Sequence, residues 1–441
     1  EKRLMFDVNT EAGADAADAL AVEDRSSSIA VRDGGLEQAD RSESLEIGLR
    51  VLVDQRQAIV ASSDTREATL SEMAERAVAM ARLAPQDPAL GLADPPALAE
   101  TRDADALDLL APADTATAAG LERMAREAEA AMLRVPGISK SDVVTAGAGT
   151  TYVHLAASNG FSGGYGRSGS GLSAVAISGS GLEMERDYCG ESRVYLSDLP
   201  SPEEIGTKAA ERALARAGAR KPPTGAYPVS YDERIASGLI GQLLAAINGA
   251  SVSRGASWLR DAMGEAVLPD GLDLIEDPLR PRIRSSKPFD AEGLPAVKRS
   301  IVEDGKLQRW LLDLRTARQL GLGSTGNASR GPGGPPSPSV SNVSLTQGER
   351  TQAELLSEMG EGLLITSMIG ASINPTTGDY SRGASGFWVK NGEIAYPVNE
   401  CTVAGNLRGM LRSIVPANDA RPHLSRVVPS LLVEGLTIAG A

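Results

Sequence analysis

The chain has 441 residues, 42% of them apolar and 23% charged, which suits a sizeable core and exceeds one ordinary domain. With 58 acidic against 44 basic residues its formal net charge is −14, and aromatics are only 3%, so phosphate backbones are repelled and stacking platforms are scarce: nucleic acid is not an expected partner. Two cysteines, Cys189 and Cys401, exclude a disulfide scaffold or a Cys-rich zinc module, and two distant histidines, His154 and His423, argue against a histidine-built metal site.

In chain order, Glu1-Lys2-Arg3-Leu4 leads into an acidic, Ala-rich stretch and not into an apolar signal core, so a soluble cytoplasmic protein is expected. Thr10 to Asp24 reads as a helix. Ser26 to Ser63 reads as an antiparallel meander of short runs (Ile29–Val31, Leu45–Val53, Ala58–Val60), with turns at Asp33-Gly34-Gly35 and Asp54–Gln57. Asp64, with Glu67 three residues on, predicts a capped helix whose face is Leu70, Met73, Ala74, Ala77 and Ala81, stopped by Pro85 and Pro88. A Pro/Ala/Asp-rich loop over 85–105 and a helix over Leu121–Leu133 follow. The Gly/Ser-rich stretch Val143–Arg193 predicts long hairpins. Ser201-Pro202-Glu203-Glu204 opens a helix that Gly218 stops.

Lys221 to Gly225 is the expected boundary between an N-terminal domain, 1–222, and a C-terminal domain, 223–441. The uncharged run Ile235–Ser253 is long enough to raise a membrane span, but Gln242, Asn248, three serines and three glycines favour a buried helix. A hairpin over 287–314 turns at Glu303-Asp304-Gly305, and a short helix runs to Leu320. Gly321–Asn342, dense in Gly, Pro and Ser, is either flexible or a functional loop held open by the fold. Phe387–Tyr396 is a hairpin around Asn391-Gly392, and Leu431–Ile438 a final strand. Without βαβ repetition, the fold class is α+β: an N-terminal antiparallel sheet with packed helices, then a β-rich C-terminal domain with a buried helix near its start.

Few motifs carry chemistry. Gly164-Tyr165-Gly166-Arg167-Ser168-Gly169 fits G-x-G-x-x-G but lacks the strand before and the helix after, and a flexible β-turn region is favoured. There is no phosphate loop and no G-x-S-x-G elbow. A Cys–His pair drawn from Cys189, Cys401, His154 and His423 is weighed against the commoner buried, inert cysteine. Phe289-Asp290-Ala291-Glu292-Gly293 carries two carboxylates that in a strand would share a side, against the plainer reading of a solvated turn with Gly293 at φ > 0.

An ordered set of segments then resembles the TldD/PmbA family, in its PmbA (TldE) branch. They are Ser158–Phe161, Gly241–Val252, Pro288–Gly293, Asp304–Leu307 running to Arg318, Gly321–Ala328, Thr377–Ala384, Ala404–Leu407 and Leu436–Gly440. Each alone is weak; together they cover nearly the whole chain. The family implies a protease built from TldD-like and PmbA-like subunits that trims peptides and unfolded segments, and its members carry the historical label of modulators of DNA gyrase. Its zinc site lies in the TldD-like subunit, on a helix bearing His-Glu-x-x-x-His, completed by a Cys near the C-terminus.

The matching helix here has Gln242 for the first His, Leu243 for the Glu and Ile247 for the second His, so the resemblance implies a chain without the protease site. The segment that should carry the Cys is shortened to Ala420–Leu424, and Cys401 lies upstream of it. The resulting expectation is a non-catalytic subunit, with no metal or cofactor of its own. Its zinc-bearing TldD-like partner would form the heterodimer, and an extended peptide would be the substrate. Candidate channel elements are Phe289, Asp290, Glu292, Gly378, Asp379 and the 321–342 loop, with strand edges of the C-terminal domain accepting the peptide. The alternative is a stand-alone peptide-binding or regulatory homodimer; a third reading is an enzyme using Asp290 and Glu292 or a Cys–His pair.

Overall fold

The computed structural model describes residues 13–112 and 116–440. In the first half the chain runs β1 (Ala16–Arg32), β2 (Gly35–Val53), β3 (Arg56–Ser62), α1 (Glu67–Leu83), α2 (Ala118–Leu133), β4 (Ile138–Ala157), β5 (Ser162–Ser178), β6 (Glu185–Arg193) and α3 (Pro202–Ala215). The six strands form one antiparallel sheet in the order β3-β2-β1-β4-β5-β6.

The helix expected over 10–24 is overturned from Ala16 onward; residues 10–12 lie outside the described residues. β1 is a central strand, paired with β2 over its whole length and with β4 over most of it, and two ladders outweigh alanine's helix preference of a few tenths of a kcal/mol per residue. The short meander runs are also corrected: they merge into strands of 17 and 19 residues through polar sequence. Residues 35–46 of β2 are exposed, so no apolar alternation marks them as strand. The turns fall where expected, with Asp33, Asp54 and Gln55 at positive φ.

α1 buries its predicted face against β1–β3. Its cap differs: Arg66 takes the cap position without a side-chain bond, while Asp64 accepts from the Arg66 N–H and Thr69 Oγ1. α2 and α3 pack against each other and cover β4–β6, and Ser201 Oγ accepts the Glu204 N–H as the sequence predicts. A Cβ on Gly206 would lie 2.0 Å from the Ala128 carbonyl oxygen, so these helices touch backbone to backbone.

The second half runs β7 (Gly225–Tyr231), α4 (Glu233–Ala246), α5 (Gly249–Ser253), β8 (Leu274–Glu276), β9 (Arg299–Glu303), β10 (Lys306–Leu307), α6 (Leu314–Gln319), β11 (Ala328–Ser329), β12 (Ser337–Pro338) and β13 (Val343–Leu345). It continues through α7 (Gln352–Met359), β14 (Gly362–Ile373), β15 (Asp379–Lys390), β16 (Glu393–Asn406), α8 (Leu407–Arg412), β17 (Val415–Pro416), β18 (Arg426–Val427) and β19 (Leu431–Ala439). The order β16-β15-β14-β7-β19, with β16 also pairing β19, is a closed barrel; only β7 and β14 run parallel. The closing pairings are short, β7–β14 at 363–365 and β16–β19 at 402–404, so much of β14 and β16 is laddered only to β15 among the described residues; the edges of the second sheet, β10-β9-β8-β13-β18, are two-residue strands.

The uncharged run is buried as expected but splits into α4 and α5, because Asn248 caps a new helix by accepting the Ala250 N–H. The hairpin at 303–305 is present, yet residues 287–298 are irregular and not strand. Asn391 and Gly392 take φ of 55° and 81°, the two left-handed positions of a tight hairpin turn. Among the described residues no helix is long and apolar enough to cross a membrane.

The α2–α3 contact is the tightest helix pair to probe. Gly206→Ala is expected to lower stability by about 1–3 kcal/mol in urea unfolding, because the overlap with Ala128 outweighs the gain in helix propensity.

Candidate functional site

Asp18 and Arg50 stand opposite each other on β1 and β2. Arg50 donates from Nε (2.8 Å) and Nη2 (2.5 Å) to Asp18 Oδ2, and both side chains are under 5% exposed. From the other half of the chain comes Arg330, 1% exposed, whose Nη2 makes an ion pair with Asp18 Oδ1. It sits in the Gly/Pro/Ser loop, which is therefore seated on the N-terminal sheet. The seat is shaped for it: a Cβ on Gly48 would lie 1.9 Å from the Pro332 carbonyl oxygen. Of the two expectations for residues 321–342, the structure supports a loop with defined contacts.

The 289–295 turn lies beside this cluster. Gly293 has φ +81°, as the turn reading required, and a Cβ there would lie 2.8 Å from the Phe161 ring. The turn is not solvated: Asp290 is 1% and Glu292 7% exposed. Nor do the two carboxylates act as a pair on one strand. Asp290 accepts from the backbone N–H groups of Glu292, Leu294 and Ala328, while Glu292 Oε2 accepts the Leu314 N–H at the start of α6. Burial, with the Asp290 charge adding to it, pushes the Glu292 carboxyl up to about 8. Burial likewise raises Asp290, against the pull of Lys287 and three N–H donors. Phe289 packs edge-on between Phe161 (4.9 Å) and Tyr165 (5.6 Å).

A cavity of about 290 Å³ opens between the halves at this point, lined by Leu20, Val22, Val153, Leu155 and Arg167 from the N-terminal sheet and by Lys287, Asp290 and Arg330 from the second half. A larger groove of about 730 Å³ crosses the sheet face opposite α2 and α3. Its floor is bare: Gly147 pairs with Gly171 and Gly149 with Gly169 across β4 and β5, flanked by Ser26, Ser28 and Ser192.

The G-x-G-x-x-G stretch is neither a nucleotide loop nor a turn region. It is the middle of β5, where Gly164 and Gly166 lie opposite His154 and Tyr152. Cβ atoms there would lie 2.5 and 2.7 Å from those rings, so the glycines make room for the cross-strand side chains.

The remaining candidates are dispersed. Asp379 is exposed and accepts from Thr377 Oγ1 and Asn406 Nδ2, which hold its carboxyl below the usual range, while Gly378 turns at φ +81° against Trp258. That corner of the barrel shares no partner with Asp290 or Glu292. Cys401 is buried in the barrel core, its thiol donating to the Ala384 carbonyl and pushed up to about 11 by burial; Cys189 is buried beneath α2 and α3. His154 meets Ser162, and His423 meets Glu191. Neither of these two contacts is with a thiol, and burial raises both Cys189 and Cys401, which suits a buried, unreactive cysteine.

Comparison with known proteins places this architecture. The PmbA/TldA metallopeptidase models match in chain order: domain 1 at residues 17–81, the central domain at 108–217 and the C-terminal domain at 224–440. The metalloprotease PmbA of Escherichia coli O157:H7 is 36% identical over 94% of this chain and 90% of its own length. This chain belongs to the PmbA/TldD family. A PmbA homologue of Haemophilus influenzae is 34% identical over the same shares. A Bacteroides thetaiotaomicron structure, provisionally described as a modulator of DNA gyrase, superposes with a TM-score of 0.91 at 27% identity over 100% of this chain and 98% of that one. TldE of Thermococcus kodakarensis shares the fold at a TM-score of 0.85 and 19% identity, over 99% of this chain and 100% of that one.

Within the PmbA/TldD fold the positions implied for the zinc helix lie on α4 and its C-cap. Gln242 is half-buried, whereas Leu243 and Ile247 are fully buried members of the core. One amide and two hydrocarbon side chains do not fit a zinc ion. Sequence reasoning missed Asp18, Arg50 and Arg330. Arg50 did leave a signal: a charge inside the apolar run Leu45–Val53 must find a partner or break the strand.

Two outcomes follow from this cluster. Asp18→Asn leaves two buried guanidinium groups without their carboxylate and is expected to cost about 3–5 kcal/mol in urea unfolding. Glu292 is protonated in the fold over a range where it is ionised in the unfolded chain. Stability should therefore fall as pH rises from about 4.5 to about 8, by up to about 1 kcal/mol per pH unit, and Glu292→Gln should flatten that slope.

Proposed function

We propose that this chain is the non-catalytic, PmbA/TldE-like subunit of a TldD-type zinc metalloprotease acting on peptides and unfolded segments. Zinc and the general base would belong to the TldD-like partner. The observation that carries the reading is the inward turn of α4: Leu243 and Ile247, where the resemblance puts the base and a ligand, are both 0% exposed. A side chain that packs the core there neither binds metal nor takes a proton from water.

Two surfaces suit work on extended chains. Residues 35–46 of β2 pair only with β1 among the described residues, which leaves one row of backbone groups for an added strand. The glycine-floored groove offers main chain without obstructing side chains. In this reading residues 1–222 and 223–441 act as two domains in the cytoplasm, and a homodimer forms when the partner is missing.

Mixing the purified chain with a TldD-like subunit is expected to give a heterodimer on size exclusion. Zinc should appear at one per heterodimer, with none on this chain alone, and peptidase activity should appear on mixing. No complex and unchanged activity, with peptide still bound by this chain, would favour the stand-alone binder.

A further inference from the structure

The cavity between the halves presents more buried positive charge than its own carboxylates can neutralise. Among the described residues the Nε–H of Arg330, 1% exposed, has no acceptor, and neither has the buried Nε–H of Arg167. Among the described residues Lys287 Nζ donates to the Ala328 carbonyl oxygen alone, at 3.3 Å. The nearby carboxylates are engaged: Asp18 with Arg50 and Arg330, Asp290 with three backbone N–H groups and the Lys287 charge, Glu276 with Asn327 and Ser341 and, more weakly, Lys287. A buried donor left without a partner costs about 1–3 kcal/mol, and such groups normally meet a water, an ion or a ligand. Here three cationic donors line one space, and Leu20, Val22, Val153 and Leu155 give it an apolar side.

We propose that this cavity binds an organic carboxylate carrying a small apolar group, with Arg330, Arg167 and Lys287 receiving the anion. At about 290 Å³ it lies at the lower end of small-molecule sites and accommodates a body the size of one or two residues. Guanidinium groups suit the acid because they donate in a planar fork matched to two carboxylate oxygens. The occupant is either a free small acid or the C-terminal end of a peptide. The site is complete within this chain, so its test does not depend on a partner subunit.

The full chain is titrated calorimetrically with N-acetyl-leucine and, separately, with N-acetyl-leucinamide, which has the same body without the charge. The acid is expected to bind at least about tenfold more tightly, and Arg330→Gln and Lys287→Gln each to lose about tenfold for the acid alone. Circular dichroism checks that the variants fold. Lys287 lies outside the Asp18 ion pairs, so its variant decides the matter if Arg330→Gln unfolds. A tripeptide ending in leucine that binds more tightly than N-acetyl-leucine identifies a peptide terminus; weaker binding identifies a free acid. Equal binding of acid and amide, or unchanged affinity in Lys287→Gln, overturns the proposal.

Discussion

Arg50 is the constraint on which much of this structure depends. A guanidinium inside a sheet cannot remain without a counter-charge, so β1 must place Asp18 directly opposite it. One carboxylate then carries two guanidinium groups, because Arg330 arrives from the second half of the chain. The pairing fixes where the 321–342 loop rests and, through Gly48, how closely it rests. The buried turn at Asp290 and Glu292 and the cavity beside it are consequences of that seating.

The second half solves a different problem. A parallel pair, β7 and β14, is drawn into a barrel by antiparallel strands on either side, and the β16–β19 pairing closes it at residues 402–404. α4 packs into the same core, so its apolar residues are consumed by packing. Leu243 and Ile247 belong to that core, and their hydrocarbon side chains have no lone pair to offer a metal. Among the described residues, strand edges with a ladder on one side only remain in both halves, on residues 35–46 of β2 and on much of β14 and β16.

Local signals were legible where a residue has one physical reason to be where it is. Ser201 as a cap, Asn391-Gly392 as a turn, Gly293 at positive φ and the apolar face of α1 all depend on neighbours a few residues away. The reading failed where partners are distant. Ala16–Asp24 looked helical because alanine's preference is visible and two flanking strands are not. The polar hairpin arm showed no alternation because it has no buried face. For Asp290 and Glu292 the sequence suggests a solvated turn or an acid–base pair; burial and backbone donors, invisible in sequence, produce neither.

By itself the sequence determined the class of fold, most of its elements from α1 onward, the family and the residue types at positions 242, 243 and 247, an amide and two hydrocarbons. Residue type alone settles whether an atom can bind a metal. Only the tertiary structure decided that Arg330 meets Asp18 across some 300 residues, that the barrel closes, and that a cation-lined cavity remains between the halves. Those are facts of long-range geometry: each depends on where two distant segments meet, and charge, size and spacing along a chain do not specify that meeting.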